Sequence, residues 1–270
     1  MPNSQPSSRP SLQVALVQLA STLVPEENRG LLDAVRTASG DARAPADLVV
    51  FPEAFARDFG DPGSDISGFA ENMDGPFVQR LTELAMSHQV TIVAGMFERS
   101  EDHARPYNTL AVVDRHGLQA TYRKMHLYDS FGYKESERLL PGEIEPVIVD
   151  VLGFRIGLMT CYDLRFPELA RELVQRGAAL LVVPSAWVAG PGKVDHWQTL
   201  VKARAIENTV YVAAAGQPGP RYTGHSMIVS PTGEVLAEAG VDDLVAEARV
   251  EHEVLEQARA RNPSLANRRF

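Results

Sequence analysis

A single cysteine among 270 residues leaves no partner for an internal disulfide. The chain contains neither C-x-x-C nor H-E-x-x-H, so it carries no zinc signature. It also lacks the G-x-G-x-x-G of dinucleotide-binding folds and the phosphate-binding G-x-x-x-x-G-K-[ST], which argues against a dehydrogenase or a P-loop enzyme. Positive charge is in deficit: 26 Lys and Arg against 35 Asp and Glu give a net charge of -9. Such a surface suits neither nucleic acid nor an anionic membrane. No apolar run approaches the ~18 residues of a membrane helix, and there are no internal repeats. The opening MPNSQPSSRP has no apolar core of the signal-peptide kind, so residues 1–10 are expected to be a disordered leader and the location cytoplasmic. A hydrophobic content of 44% is enough for one sizeable core, assigned to residues 11–270.

Continuous apolar segments of strand length recur along the chain. Leu12 to Leu19, Leu48 to Phe51, Thr91 to Phe97, Ala178 to Val183 and Tyr211 to Ala215 read as buried strands. Helical spacing runs through Pro25 to Thr37, Pro76 to His88, Asp195 to Asn208 and Glu251 to Arg261. Hairpins are expected at Asn108 to Val113 with Gln119 to Leu127, and at Val147 to Val151 with Phe154 to Thr160. Short strands at Ser226 to Ser230, Glu234 to Ala237 and Val245 to Arg249 close the series. Tyr128 to Gly142 reads as a loop. The pattern predicts a layered α/β fold.

Chemistry-bearing residues collect where these strands end. Pro52 stops the second strand, which places Glu53 at its C-terminal end, the usual site of ligand chemistry in α/β sheets. Lys124 lies near the end of a hairpin strand. Cys161 sits in FRIGLMTCYDLRFPELAR, between an apolar strand and a helical pattern that starts near Pro167. A lone cysteine is more often a small buried residue than a nucleophile. The strand-to-helix turn, with free N–H groups close by, favours a thiolate and the second reading.

The phrases FPEAF, YRKMHLYD and CYDLRFPELA, in that order, resemble the Glu-Lys-Cys set of the nitrilase superfamily, the carbon-nitrogen hydrolases. YNT, PSAW, KARAIEN, GHSMIVSPTGEV and the closing NPSLANRR extend the resemblance from about Leu12 to Arg269. The family implies an α-β-β-α sandwich, two mixed sheets flanked by helices. It implies Glu53 as general base, Lys124 as oxyanion stabiliser and Cys161 as the nucleophile that forms a thioester, with no metal or cofactor. Glu135 resembles the family's second glutamate, which holds the lysine and the substrate. The backbone N–H of Tyr162 would assist the oxyanion. Ser185, Ala186, Trp187 and Tyr128 are candidates for the pocket wall.

Within the superfamily the phrases are most similar to the omega-amidase and deaminated-glutathione amidase group. Nitrilases usually carry tryptophan after the nucleophile, where this chain has Tyr162. The implied substrate is a small carboxylate-bearing amide, its acid group met by a residue among Arg57, Tyr128, Tyr133, Lys193 and Arg221. An N-carbamoyl amino-acid or β-ureidopropionate amidohydrolase, or a nitrilase, is the alternative, and a non-catalytic binding protein on the same fold is the alternative of another class. The resemblance also implies a homodimer or higher homo-oligomer. Further expectations are a brace between Asp163 and Arg165, a surface pair between Arg204 and Glu207, a turn braced by Asn108, and no metal at His126, His196 or His225.

Overall fold

Alternation along the early strands sorts their side chains to two faces. Val14, Leu16, Val50, Val93, Leu110 and Val112 pack in one cluster, and Ala15, Val17, Val49, Ile92, Ala94, Ala111 and Val113 in another. A computed structural model describes residues 10–40 and 45–269 and shows why both faces are apolar. Residues 1–9, most of the expected leader, lie outside the described residues.

The first sheet takes its strands from both ends of the chain. They are β1 (Ser11–Gln18), β2 (Leu48–Val50), β3 (Thr91–Glu98), β4 (Tyr107–Asp114), β5 (Gly117–Arg123) and, near the C-terminus, a strand at Leu244–Glu251 that pairs antiparallel with β1. Between β1 and β2 come α1 (Pro25–Leu31), a 3₁₀ turn (Leu32–Ala34) and α2 (Val35–Gly40), which replace the single helix expected there; α3 (Pro76–His88) precedes β3. These helices cover the outer face with Leu32, Val35, Phe77, Leu81 and Leu84. The expected loop after β5 contains a short ribbon, β6 (Asp129–Ser130) and β7 (Tyr133–Lys134), and a 3₁₀ turn at Glu135–Glu137.

The second sheet is built from β8 (Ile148–Val151), β9 (Phe154–Leu158), β10 (Leu180–Ser185), β11 (Tyr211–Gly216), β12 (Met227–Val229) and β13 (Val235–Glu238). Outside it lie α4 (Pro167–Gln175) and α5 (Lys193–Asn208), which bury Leu169, Leu173, Trp197 and Val201. The first sheet's late strand is β14, and α6 (His252–Arg261) follows it. Each sheet has three adjacent parallel strands, β1-β2-β3 and β9-β10-β11, with antiparallel strands on both sides. The sheets pack face to face, giving the α-β-β-α sandwich that the resemblance implies. Each fully buried Leu or Val in it contributes about 1.5–3 kcal/mol. The C-terminal ends of β2, β9, β10 and β11 lead into Glu53, Cys161, Ala186 and Gln217, at the edge where α/β sheets hold ligands.

Candidate active site

Glu53 is held by backbone turned tightly beneath it. Pro52 ends the ladder, and Ala54 reverses the chain with φ 53°. Gly95 on β3 lies against this turn. A Cβ there would stand 2.5 Å from the Ala54 nitrogen and 2.7 Å from Glu53 Cα, so the approach requires glycine. The Glu53 carboxylate, 1% exposed, accepts from Asn108 Nδ2 (2.7 Å) and from the Ala186 N–H (2.7 Å). Its carbonyl accepts from Gln217 Nε2 (2.9 Å). Asn108 thus holds the residue that opens this turn and contacts the site directly. Gln217 is a support that sequence reasoning missed, because nothing local distinguishes a glutamine after a strand.

Lys124 lies one residue past β5, beyond which the expected strand does not continue. Its Nζ is 2.9 Å from Glu53 Oε1, and 2.9 and 3.1 Å from the two oxygens of Glu135. Glu135 also accepts from the Tyr128 N–H at 2.6 Å. Burial pulls the Lys124 ammonium down, but the charges of Glu135 and Glu53 outweigh it and hold the group well above its ordinary value. Burial raises Glu135 against the pull of Lys124. With both carboxylates ionised, one ammonium would leave the trio with a net negative charge.

Cys161 opens a 3₁₀ turn (Cys161–Arg165) with φ 46°. Burial, then the Glu53 charge, pushes its thiol up, and Lys124 offsets only part of this. The turn's N–H groups favour a thiolate, but a five-residue turn has little macrodipole to set against desolvation and a facing carboxylate. Glu53 and Ser185 both act on the thiol, and the buried Ser185 Oγ has no hydrogen-bond partner among the described residues. The Tyr162 N–H comes before the first internal bond of the turn and is available to a ligand.

The expected Asp163–Arg165 brace does not form. Asp163 is fully buried and is met by nearer donors: Tyr122 OH (2.7 Å), the Thr160 N–H (2.8 Å), and the His126 N–H (3.1 Å) and Nδ1 (2.7 Å). These bonds join the end of the Lys124 strand to the Cys161 turn. Arg165 instead lies over the Trp187 ring at 4.9 Å. Arg204 does pair with Glu207 (2.9 Å), but it is 4% exposed and also donates to the Leu164 carbonyl (2.7 Å), so it supports the turn from α5 and is not a surface pair.

A cavity of about 600 Å³ opens over Glu53, Lys124, Glu135 and Cys161. Tyr128, Tyr162, Ala186 and Trp187 line it as expected, whereas Ser185 is buried behind the wall. Of the residues offered for an acid group, Tyr128, Tyr133, Lys193 and Arg221 reach the cavity. Arg57 does not; it is buried with its guanidinium 4.2 Å from the Phe69 ring centre. Phe59, Phe131 and Arg165 also line the cavity and were missed, since separate loops bring them together. His126 bonds to Asp163, His196 lies 3.4 Å from Arg165, and His225 lies 3.3 Å from Glu238. Among the described residues no group of three or more His, Cys, Asp or Glu is placed to hold a metal ion, and no helix is long and apolar enough to cross a membrane.

Residues 13–260 match the family model for carbon-nitrogen hydrolases. The chain is 39% identical to the deaminated glutathione amidase of Escherichia coli O157:H7, over 95% of this chain and 97% of that one. It is 34% identical to the human omega-amidase NIT2, over 96% and 95%. It also resembles the structure of a Glu-to-Gln mutant of the amidase from Nesterenkonia sp. AN1. That match has a TM-score of 0.79 and 28% identity, and covers 96% of this chain and 94% of the other; in that mutant the acetamide moiety of fluoroacetamide is covalently added at the active-site cysteine.

Proposed function

The chain belongs to the carbon-nitrogen hydrolase family, and on that premise we propose that it is an amidase that splits the C–N bond of a small carboxylate-bearing amide through a thioester on Cys161. The observation that carries this reading is the ammonium of Lys124 held between Glu53 and Glu135 beside the Cys161 thiol, at the floor of the cavity.

The raised thiol keeps its proton until the substrate is in place. Glu53 then takes that proton as sulfur bonds to the amide carbon. The carbonyl oxygen becomes an oxyanion, stabilised by Lys124 Nζ and the Tyr162 N–H. Glu53 passes the proton to the nitrogen, the C–N bond breaks and ammonia leaves. Glu53 next takes a proton from water, whose oxygen attacks the thioester. The C–S bond breaks, sulfur regains a proton, and a carboxylic acid is released. Glu135 keeps Lys124 aimed and charged throughout. The assignment draws support from the adduct on the cysteine of the related amidase. The reading also takes residues 11–270 as one catalytic domain in a cytoplasmic homodimer or larger homo-oligomer. A monomer by light scattering would remove the oligomer without affecting the chemistry.

The test is ammonia release from 2-oxoglutaramate, deaminated glutathione, glutamine, a simple aliphatic amide, an N-carbamoyl amino acid and a nitrile, with Cys161→Ala as blank. Turnover of either of the first two is the expected result. Turnover of the carbamoyl compound alone would make the chain a carbamoyl hydrolase, and turnover of the nitrile alone a nitrilase. Silence throughout, with Cys161 inert to alkylation, would favour a binding protein.

The close approach at Gly95 supplies a further expectation. Gly95→Ala forces the Glu53 turn away from β3, so kcat/KM should fall by about 100-fold. Overpacking should cost ~1–3 kcal/mol in a melting experiment. Full activity in this variant would mean that the position of Glu53 is not critical.

A further inference from the structure

Four cations border the cavity, and two of them already have carboxylate partners. Lys124 is held by Glu53 and Glu135, and Arg221 by Asp58 at 2.9 Å with a second bond to the Gly60 carbonyl. Lys193 and Arg165 make no ion pair among the described residues, although both are half-buried in the wall. Lys193 Nζ donates to Tyr128 OH at 3.1 Å and lies 3.9 Å from the centre of the Phe131 ring. The Arg165 guanidinium lies 6.0 Å from the same ring and 4.9 Å from that of Trp187, and its buried Nε has no partner. The two positive groups thus converge on one aromatic ring. Aromatic faces attract cations but do not neutralise them.

An ammonium has three donors, and Tyr128 takes one. Burial, and then the Arg165 charge, hold the Lys193 ammonium below its ordinary value, as expected of two cations that repel each other across a partly dry space. Lys193 and Tyr128 line the same cavity as Cys161, so the pair faces the space that a small molecule with its amide on the thiol would fill. A carboxylate between the two cations would accept from both and relieve the repulsion.

We propose that Lys193, with Arg165 across the Phe131 ring, anchors the free carboxylate of the substrate, and so sets a preference for half-amides of dicarboxylic acids over neutral amides. This rests on the amidase reading above. The other residues considered for an acid group are less suited. Arg221 is already paired, Arg57 lies outside the cavity, and Tyr133 OH accepts from Arg138 at 2.9 Å.

The experiment compares kcat/KM for glutaramate with that for valeramide, which has the same chain length and no charge. In Lys193→Met the ratio should fall about 10- to 100-fold, mainly through KM for glutaramate. Lys193→Arg should recover part of the ratio, since a guanidinium still offers donors and charge. A purely structural role would lower both substrates equally, and that result or an unchanged ratio would overturn the anchor. A second measurement separates this inference from the amidase reading. Glutarate should slow alkylation of Cys161 by iodoacetamide in the wild type, and the protection should weaken in Lys193→Met. Protection by glutarate without turnover of any amide would retain the anchor and reject the amidase. Absence of protection would reject the anchor even if amides are hydrolysed.

Discussion

Cys161→Ala is expected to bring ammonia release down to the level of buffer, a loss of about 10⁴-fold or more, while the protein melts within a few degrees of the wild type. The first part follows from losing the only sulfur that can form the thioester; removing the nucleophile of a covalent mechanism typically costs as much as removing its whole catalytic set. The second part follows from the local backbone. Position 161 has φ 46°, in the left-handed region, and Cys and Ala both carry a Cβ, so the strain is unchanged. The sulfur borders the cavity, so its removal enlarges a space that already exists. A chain of this size shifts by roughly 2–4 °C per kcal/mol, so a small change in packing moves the midpoint little. Residual turnover above about one per cent of wild type would show that another group attacks the amide.

Lys124→Ala should be damaging in two separable ways. Loss of the principal oxyanion donor predicts a fall in kcat of about 10²- to 10³-fold. Its removal also leaves Glu53 and Glu135 facing one another, both at most 2% exposed and with no cation between them. Breaking a buried pair from one side costs on the order of 3–5 kcal/mol when the remaining charge persists. The variant can reduce that cost by binding a proton. Burial already raises Glu135 in the wild type, and loss of Lys124 removes the strongest influence opposing the rise. A carboxyl whose folded pKa exceeds its unfolded one binds more protons when folded, so its contribution to stability falls as pH rises. The Lys124→Ala protein should therefore melt well below wild type at neutral pH, and the gap should narrow towards about pH 4, near the unfolded carboxyl value. The double variant Lys124→Ala with Glu135→Gln should regain stability at neutral pH but not turnover, because it removes the repulsion and leaves the oxyanion donor missing. Thermal melts across pH and initial rates together check this. A melting gap that does not change with pH would show that the two carboxylates do not interact as the distances indicate.

The apolar runs by themselves determined most of the elements and the layered α/β class, while the two-sheet sandwich was implied by the family resemblance. Strands buried on both faces read as continuous Val, Leu and Ala segments, and the helices showed the 3.6-residue period, because each reports local burial. The chemical types in FPEAF, YRKMHLYD and CYDLRFPELA were legible for a similar reason: each lies at or next to the end of one element and needs only its own neighbours to be noticed. Tertiary structure alone decided how those groups act on one another. Lys124 and Glu53 are 71 residues apart in sequence yet within hydrogen-bond distance, and Asp163 bonds to Tyr122 41 residues away instead of its near neighbour Arg165. The thiol's protonation followed the same rule. The turn at Cys161 suggested a thiolate, but desolvation and the Glu53 charge arrive from elements far away in the chain and are stronger at short range in a medium of low polarity. Which cations remained unpaired, Lys193 and Arg165 but not Arg221, likewise depended on where Asp58 and Gly60 came to lie. Local pattern encodes burial and chemical type; charge, partner and reach are sums over space, and they exist only once the two sheets have closed.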